Sequence, residues 1–216
     1  MKFLSFGVLA FALAFCGLGD RLKEMTGTTT TSSNTANAPA NTAAKPGKTE
    51  SGAVAEVPKP TAAQQAIMDG ASEIKWDDQG ITWKVPDGWN KMDVKKEMFN
   101  YGSPKTGFLI GSISVMPGSF PADVSLKATY DSSLEQLKNG KYENVRWLEI
   151  DGVKGVEWVE AMPEEKDSPR RHQWIAFRNY QGQNQQLNIM LSTDGGKFND
   201  KKDTFAAIMY LMKIAK

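Results

Sequence analysis

The chain has 216 residues, of which 10% are aromatic and 24% charged, and this length suits one globular domain with an additional segment. Its 26 basic and 25 acidic side chains nearly balance, so charge gives no reason to expect nucleic acid or an anionic membrane surface as partner. The single cysteine, Cys16, excludes an internal disulfide and a thiolate zinc site.

Residues 1–15 have the pattern of an export signal. Lys2 precedes about a dozen apolar residues, too few for a permanent membrane span. The motif Leu13-Ala14-Phe15-Cys16 resembles the bacterial lipobox, in which a Leu three residues before a Cys directs cleavage and the Cys is then acylated. Phe15 stands where that pattern usually has a small residue. We predict a signal peptide over 1–15, lipid on Cys16, and anchoring in a membrane of the bacterial cell envelope.

Two other outcomes remain open for this leader. Ala12-Leu13-Ala14 also fits ordinary signal cleavage, which would release a soluble secreted or periplasmic protein with a free thiol. The leader could instead stay attached as an uncleaved anchor. A lone cysteine beside a cleavage point favours the lipidated form, because lipidation explains why it has no partner.

The segment 16–60 is poor in residues that could form a core. Thr, Ala, Asn, Pro and Ser dominate it, and no aromatic residue occurs between Cys16 and Lys75. Ordering such a segment would cost backbone entropy without burying apolar surface. We therefore predict a disordered tether over 16–60 and a globular domain over 61–216.

The first half of this domain reads as one short helix and several strands. Thr61 is the predicted N-cap of the helix, which ends at Gly70. Ile81, Trp83 and Val85 alternate with polar residues, as in a half-buried strand. The predicted strands are 72–77, 81–85, 98–101 and 108–116, with a turn at 78–80 and a charged connection at 91–97.

The second half contains two amphipathic helices separated by hairpins. Leu126, Tyr130, Leu134 and Leu137 mark the buried face of the first, with Asp123 or Ser125 as its predicted cap. Asp151-Gly152 favours a type I′ turn between strands 145–150 and 153–161. The remaining predicted elements are a loop at 162–170, strands 173–180 and 185–192 joined across 181–184, and a helix over 198–214 capped by Asn199 or Asp200.

Strands joined mainly by hairpins, with two long helices, predict an α+β fold in which helices flank an antiparallel sheet. The strand Gly80-Ile81-Thr82-Trp83-Lys84-Val85 runs into Pro86-Asp87-Gly88-Trp89, and a middle and a C-terminal helix follow. This arrangement, over 80–216, resembles the Mog1/PsbP-like domain. The resemblance implies an αβ sandwich in which the turn at Pro86-Asp87-Gly88-Trp89 is a packing feature. It also implies that the domain serves as a binding or assembly module, and bacterial members of the family are often envelope lipoproteins. It implies no catalytic residue.

No catalytic constellation is predicted. His172 is the only histidine, and Asp167 and Ser168 precede it, but no Gly-x-Ser-x-Gly motif is present. We predict His172 at the surface or on an edge strand.

Three other charged clusters are given structural interpretations. Glu164, Glu165 and Asp167 predict a solvated loop rather than a cation site, because the spacing of a calcium loop is missing. Arg170-Arg171 with Trp174 predicts strand pairing rather than an anion site. Asp194-Gly195-Gly196-Lys197 predicts a turn rather than a phosphate cradle, since the P-loop spacing is absent. We predict no catalytic, cofactor or metal residue, and Cys16 as the one modified position.

These observations favour a non-enzymatic envelope lipoprotein whose domain binds a protein partner or a small ligand. The alternatives are a secreted or anchored hydrolase with an unrecognised site and a structural accessory subunit of an envelope complex. An apolar cleft with convergent polar groups would favour ligand binding, whereas a flat aromatic patch would favour a protein partner.

Overall fold

The computed structural model describes residues 54–216, in which two antiparallel sheets are combined with three α-helices. The predicted signal peptide, Cys16 and most of the predicted tether lie outside the described residues. The α+β class with helices flanking antiparallel sheets is confirmed. None of the helices in residues 54–216 is long and apolar enough to cross a membrane.

The elements are numbered in chain order. The helices are α1 (Ala62–Ile67), α2 (Ala122–Lys138) and α3 (Gly195–Tyr210). The strands are β1 (Ser72–Trp76), β2 (Ile81–Val85), β3 (Lys91–Lys95), β4 (Met98–Ser103), β5 (Gly107–Met116), β6 (Tyr142–Ile150), β7 (Val153–Glu160), β8 (Pro169–Tyr180), β9 (Gln183–Asp194) and β10 (Lys213–Ile214).

Seven strands form the large sheet in the order β3-β4-β5-β9-β8-β7-β6, and three form a small sheet in the order β1-β2-β10. The first hydrophobic core joins the large sheet to α3 and the small sheet. The second joins α2 to β6, β7 and β8. Because alternate residues of a strand point to opposite faces, these two cores lie on opposite faces of the large sheet.

The first core is built around aromatic rings. Trp83 is fully buried, and its ring stacks on Phe99 with centroids 4.6 Å apart. Phe99 also stacks on Tyr101 at 4.9 Å and lies 5.7 Å from Trp76. Ile81 and Val85 are buried beside Trp83, so the predicted alternation of this strand is confirmed.

The second core confirms the predicted face of α2. Leu126 is buried, and Tyr130, Leu134 and Leu137 pack against strand residues that include Trp158. The helix begins after Pro121 with no side-chain cap, so neither Asp123 nor Ser125 is the N-cap.

Both predicted hairpins are present. Asp151 and Gly152 have positive φ of 50° and 77°, as a type I′ turn requires, and Ile150 pairs with Val153 across them. The second turn is tighter than predicted: its two central residues, 181 and 182, also have positive φ, and β9 begins at Gln183.

Two predicted loop segments are regular structure. Lys91–Lys95 is a strand, β3, at one edge of the large sheet. Charged side chains are tolerated on an edge strand because its outer side faces solvent, and their charge discourages pairing with another chain. Residues 169 and 170 belong to β8 instead of the preceding loop.

The bounds of α3 also differ from the prediction. Residues 195–197, predicted as a turn ahead of the helix, form its first helical turn, and neither Asn199 nor Asp200 is the N-cap. The N–H groups of Gly195 and Gly196 donate to the carbonyls of Ser168 and Lys166 at 2.9 and 2.8 Å, so the preceding loop replaces a side-chain cap. The helix ends at Tyr210, and residues 213–214 form β10 against β2.

Contacts with the domain begin within the range predicted as tether. Glu56 lies beside Leu148 of β6 in a parallel bridge. Its N–H donates to the carbonyl of Trp147 at 3.1 Å, and its carbonyl accepts from the N–H of Glu149 at 2.8 Å. Residue 56 therefore pairs with the outer edge of the large sheet.

Candidate functional site

A cleft of about 450 Å³ opens where the β6–β7 and β8–β9 hairpins separate. Pairing between β7 and β8 ends at Gly155↔Ala176, whereas β7 stays paired to β6 as far as Val153 and β8 to β9 as far as Tyr180. The two hairpins therefore diverge over their last residues, and the first turn of α2 closes one side of the gap. The volume falls within the range of about 300–1,000 Å³ for small-molecule sites.

Part of the cleft is lined by apolar side chains. Phe120, just before α2, lies with its ring centroid 5.4 Å from that of Phe177 on β8. Leu126 of α2 and Val153 of β7 complete this apolar wall. Such a surface accepts the apolar part of a ligand because contact removes apolar area from water.

Arg178 forms another wall and is almost fully buried, with 8% of its surface exposed. Its Nε donates to Oε1 of Gln185 at 3.0 Å, its Nη1 to the carbonyl of Ala215 at 2.9 Å, and its Nη2 to the carbonyl of Gln79 at 2.7 Å. The guanidinium also lies 4.2 Å from the ring centroid of Tyr180. These contacts hold the side chain in one orientation.

Within the part of the chain that the structure describes, the hydrogen-bond acceptors of Arg178 are all neutral oxygens. Burial lowers its pKa from the ordinary 12.5 to about 10, and Tyr180 opposes that change, so the guanidinium remains charged at neutral pH. A buried charge without a counter-charge is costly to the fold. Arg170, which is fully buried, is instead ion-paired to Glu143.

Two exposed lysines add to the positive charge of the cleft. The Nζ of Lys154 lies 4.5 Å from the ring centroid of Trp147, and the end of Lys216 lies against Gly152, where an added Cβ would be 2.4 Å from its Nζ. Asp123 is the acidic side chain among the residues lining the cleft. The residues that line the cleft therefore include three basic ones, Arg178, Lys154 and Lys216, and one acidic one, Asp123.

His172 does not lie at the surface or on an edge strand, so that prediction is wrong. Its strand, β8, has β7 and β9 on either side, and its side chain is 3% exposed. Its Nε2 donates to Oε1 of Glu157 at 2.7 Å. The same oxygen accepts from the hydroxyl of Tyr210 at 2.8 Å, while Oε2 accepts from Nε of Arg146 at 2.5 Å.

This buried network sets the protonation of its members. Burial alone would raise the pKa of Glu157, but hydrogen bonds and charge from His172 and Arg146 lower it to about 2. Burial and the neighbouring carboxylate raise the pKa of Tyr210. Arg146 also donates to Glu56 at 2.6 Å, so the network joins β6, β7, β8, α3 and the N-terminal segment. The network therefore holds these elements together, which is a structural role.

The Ser/His/Asp arrangement considered in the sequence is not assembled. His172 hydrogen-bonds Glu157, while the carbonyl of Ser168 accepts from the first turn of α3. Glu164, Glu165 and Asp167 are exposed, as predicted for a solvated loop. Among residues 54–216 no three His, Cys, Asp or Glu side chains are grouped closely enough to hold a metal ion.

Arg170 and Trp174 are used within the fold, as predicted for strand pairing. Arg170 donates to the carbonyl of Glu160 at 2.7 Å and to Asn199 at 3.0 Å, and it packs 4.4 Å from the ring centroid of Phe198. The indole of Trp174 donates to the carbonyl of Leu148 at 3.2 Å.

The sequence pattern singled out none of the basic residues of the cleft, and it assigned Asp123 only as a possible helix cap. One signal was available: residues 174, 176 and 178 alternate along β8, so a buried Trp174 places Arg178 on the same buried face. An arginine at such a position has to be paired or functional.

The chain matches no known protein family, and no curated protein is significantly similar to it. Among solved structures, a protein from Bacteroides thetaiotaomicron is 16% identical with a TM-score of 0.41, over 63% of this chain, and the chain spans only 45% of that protein's length.

Two further solved structures are similar to most of this chain. A cyanobacterial PsbP (CyanoP) from Synechocystis sp. PCC 6803 is 15% identical with a TM-score of 0.43, over 76% of this chain and 98% of its own. LpqN of Mycobacterium tuberculosis, a protein involved in cell envelope biogenesis, is 14% identical with a TM-score of 0.47, over 68% and 86%. At these values none of the three structures assigns a family, ligand or partner to this chain.

Proposed function

We propose that this chain is a non-enzymatic, exported and lipid-anchored protein of the bacterial envelope whose domain binds a small ligand in the cleft beside α2. The observation that carries the proposal is that one concave site of about 450 Å³ is lined both by an apolar wall and by a few charged residues. This combination is typical of ligand sites.

The cleft favours a small ligand over the other candidate functions. A protein partner would be expected on a broad, flatter apolar surface. A hydrolase that uses histidine would need His172 to reach substrate, but His172 is held by Glu157 and does not line the cleft. A purely structural subunit would not need a buried positive charge at Arg178 that no carboxylate matches.

Filling the cleft is expected to abolish ligand binding. Ala122 lies in the first turn of α2 and lines the cleft, so the indole of Ala122→Trp would occupy ligand space. The full chain would be incubated with a small-molecule extract of bacterial envelopes, and bound masses would be recorded by native mass spectrometry.

The matched control is Ala128→Trp, which places the same side chain on an exposed position of the same helix. It is expected to retain the masses that wild type binds. Identical bound masses in wild type and Ala122→Trp would contradict the assignment of the site.

The lipid anchor on Cys16 is part of the proposal, supported by the motif Leu13-Ala14-Phe15-Cys16 and the absence of a second cysteine. The mature protein is expected to enter the detergent phase on phase separation, and Cys16→Ser to enter the aqueous phase, because the acyl chains supply the membrane affinity. A mature chain that begins at Phe15 by mass spectrometry would exclude lipidation.

A further inference from the structure

One face of the large sheet is only partly covered by helix. In residues 54–216, α2 lies on this face and packs on β6, β7 and β8, while α3 and the small sheet pack on the opposite face. The side chains of β4, β5 and β9 that point to the same side as α2 are the even-numbered residues of 98–102, 108–114 and 186–192. We call this surface the open face.

The composition of the open face is that of an interface centre. None of its eleven residues is charged, although charged residues make up 24% of the chain. Ile110 pairs with Met190 across β5 and β9, Phe108 lies next to Ile110 on the same side of β5, and Met98 is exposed. The centres of protein interfaces are depleted of charged residues and enriched in methionine and aromatic residues.

Charged side chains begin at the borders of the open face. On β3, Lys95 pairs with Asp93 at 2.7 Å, and on β8, Arg171 pairs with Glu160 at 2.9 Å. Each pair is neutral as a whole, so two copies of this surface would meet with little repulsion. A surface without net charge also gives a different protein no electrostatic basis for selective recognition. The charge pattern therefore favours a second copy of the chain as the partner.

The area of the open face suits a stable dimer. A rise of about 3.3 Å per residue and a strand spacing of about 4.8 Å give about 16 Å² of sheet per residue. The 33 residues of β3, β4, β5 and β9 therefore cover about 530 Å² in plan, and the relief of the side chains adds to this value. Each partner in a standard interface buries about 800 Å² of accessible surface, which is the same order.

We propose that the open face is a self-association surface, on which a second copy of this chain packs its own open face. The two copies are related by a twofold axis, so the same surface serves on both sides of the contact. The sheets then pack as the two layers of a β-sandwich, about 10 Å apart. Side-chain amides such as those of Gln186 and Asn188 carry both donors and acceptors, which suits a surface that binds itself. The open face is separate from the cleft, and this inference goes beyond the function proposed for the cleft.

Photo-crosslinking in bacterial cells that express the full chain tests where two copies meet. The photoreactive residue p-benzoylphenylalanine would replace Met98 on the open face or, as the matched control, Met162 in the loop after β7. The two methionines are 46% and 47% exposed. Position 98 is expected to give a product of twice the chain mass that contains only this chain by mass spectrometry. Position 162 should give at least about tenfold less of it, because that residue lies outside the contact.

The other results of this experiment would each overturn the inference. Equal yields at positions 98 and 162 would show random collision of copies. A product at position 98 that contains a different protein would make the open face a site for that protein. The lack of any product at position 98 would show that the face is solvated.

An added charge tests the same contact without changing the shape of the open face. Asn188→Asp keeps the side-chain volume and an oxygen that accepts from Nε2 of Gln173, at 2.7 Å in the wild-type chain, so the fold is expected to be retained. Each copy would bring one carboxylate, and both would lose hydration in the dimer. The crosslinked product at position 98 is therefore expected to fall at least about tenfold. The matched control is Asn144→Asp, an exposed asparagine of β6 outside the open face, which should leave the yield unchanged. Equal yields in the two variants would contradict self-association through this face.

Discussion

Glu157→Gln is expected to lower the free energy of unfolding by at least about 3 kcal/mol at neutral pH, as breaking one partner of a buried ion pair does. The wild-type carboxylate is fully buried and accepts from His172, Tyr210 and Arg146. The amide of the glutamine keeps the volume of the side chain, but its NH₂ group cannot accept the hydrogen bonds that the carboxylate accepts. It also removes the negative charge that pairs with Arg146. Urea unfolding followed by tryptophan fluorescence measures the loss.

The pH dependence of stability provides an independent measure of the same carboxylate. Its pKa in the folded protein, about 2, lies below the ordinary 4.5, so its stabilisation is complete above pH 4.5 and is lost as the pH falls towards 2. At about 1.4 kcal/mol per pKa unit, this displacement again corresponds to about 3 kcal/mol. Wild type should therefore lose stability steeply between these pH values, and Glu157→Gln should lose less.

The control for Glu157→Gln is Glu73→Gln, which removes an exposed carboxylate that pairs with Lys75 at 3.0 Å. Exposed pairs contribute little, so this change should alter stability by less than about 1 kcal/mol. Parallel stability–pH curves for wild type and Glu157→Gln would show that Glu157 is not the stabilising group.

Trp83→Ala is expected to cost about 4 kcal/mol, within the range of about 3–5 kcal/mol for removing a buried large aromatic side chain. Trp83 is fully buried in the first core, and its ring stacks on Phe99 at 4.6 Å. Alanine would leave a cavity between the small sheet and the large sheet, which cannot close without moving both sheets.

Thr82→Ala is the control for Trp83→Ala, because Thr82 is the next residue on the same strand and is only half-buried. It should cost less than about 1 kcal/mol. Chemical denaturation of both variants gives the comparison, and a loss below about 1 kcal/mol for Trp83→Ala would contradict the stacked core.

Several elements could be predicted because their information is local. Asp151-Gly152 requires only two residues that accept positive φ. The face of α2 follows from the spacing of Leu126 and the apolar residues after it. The burial of Trp83 follows from the strict alternation of apolar and polar residues along the five residues of β2. In each case the physical preference acts over one turn or one strand.

The errors occurred where a distant part of the chain supplies the missing contact. Residues 195–197 form the first turn of α3 because carbonyls of Lys166 and Ser168 accept from the glycine N–H groups. The helix ends at Tyr210 because the chain beyond it pairs with β2. His172 is buried because β7 supplies Glu157 beside it. Local propensity contains none of these contacts.

By itself, the sequence determined the α+β class, the hairpin turns, the apolar faces of strand and helix, and the motif around Cys16 that motivates the anchor. Only the tertiary structure decided which charged residues share a site. Gln79 lies 99 positions before Arg178, yet its carbonyl accepts a hydrogen bond from Nη2 of that arginine. The cleft exists because two hairpins diverge beyond Gly155. The energy of a buried charge depends on every group around it, and only the folded chain brings those groups together.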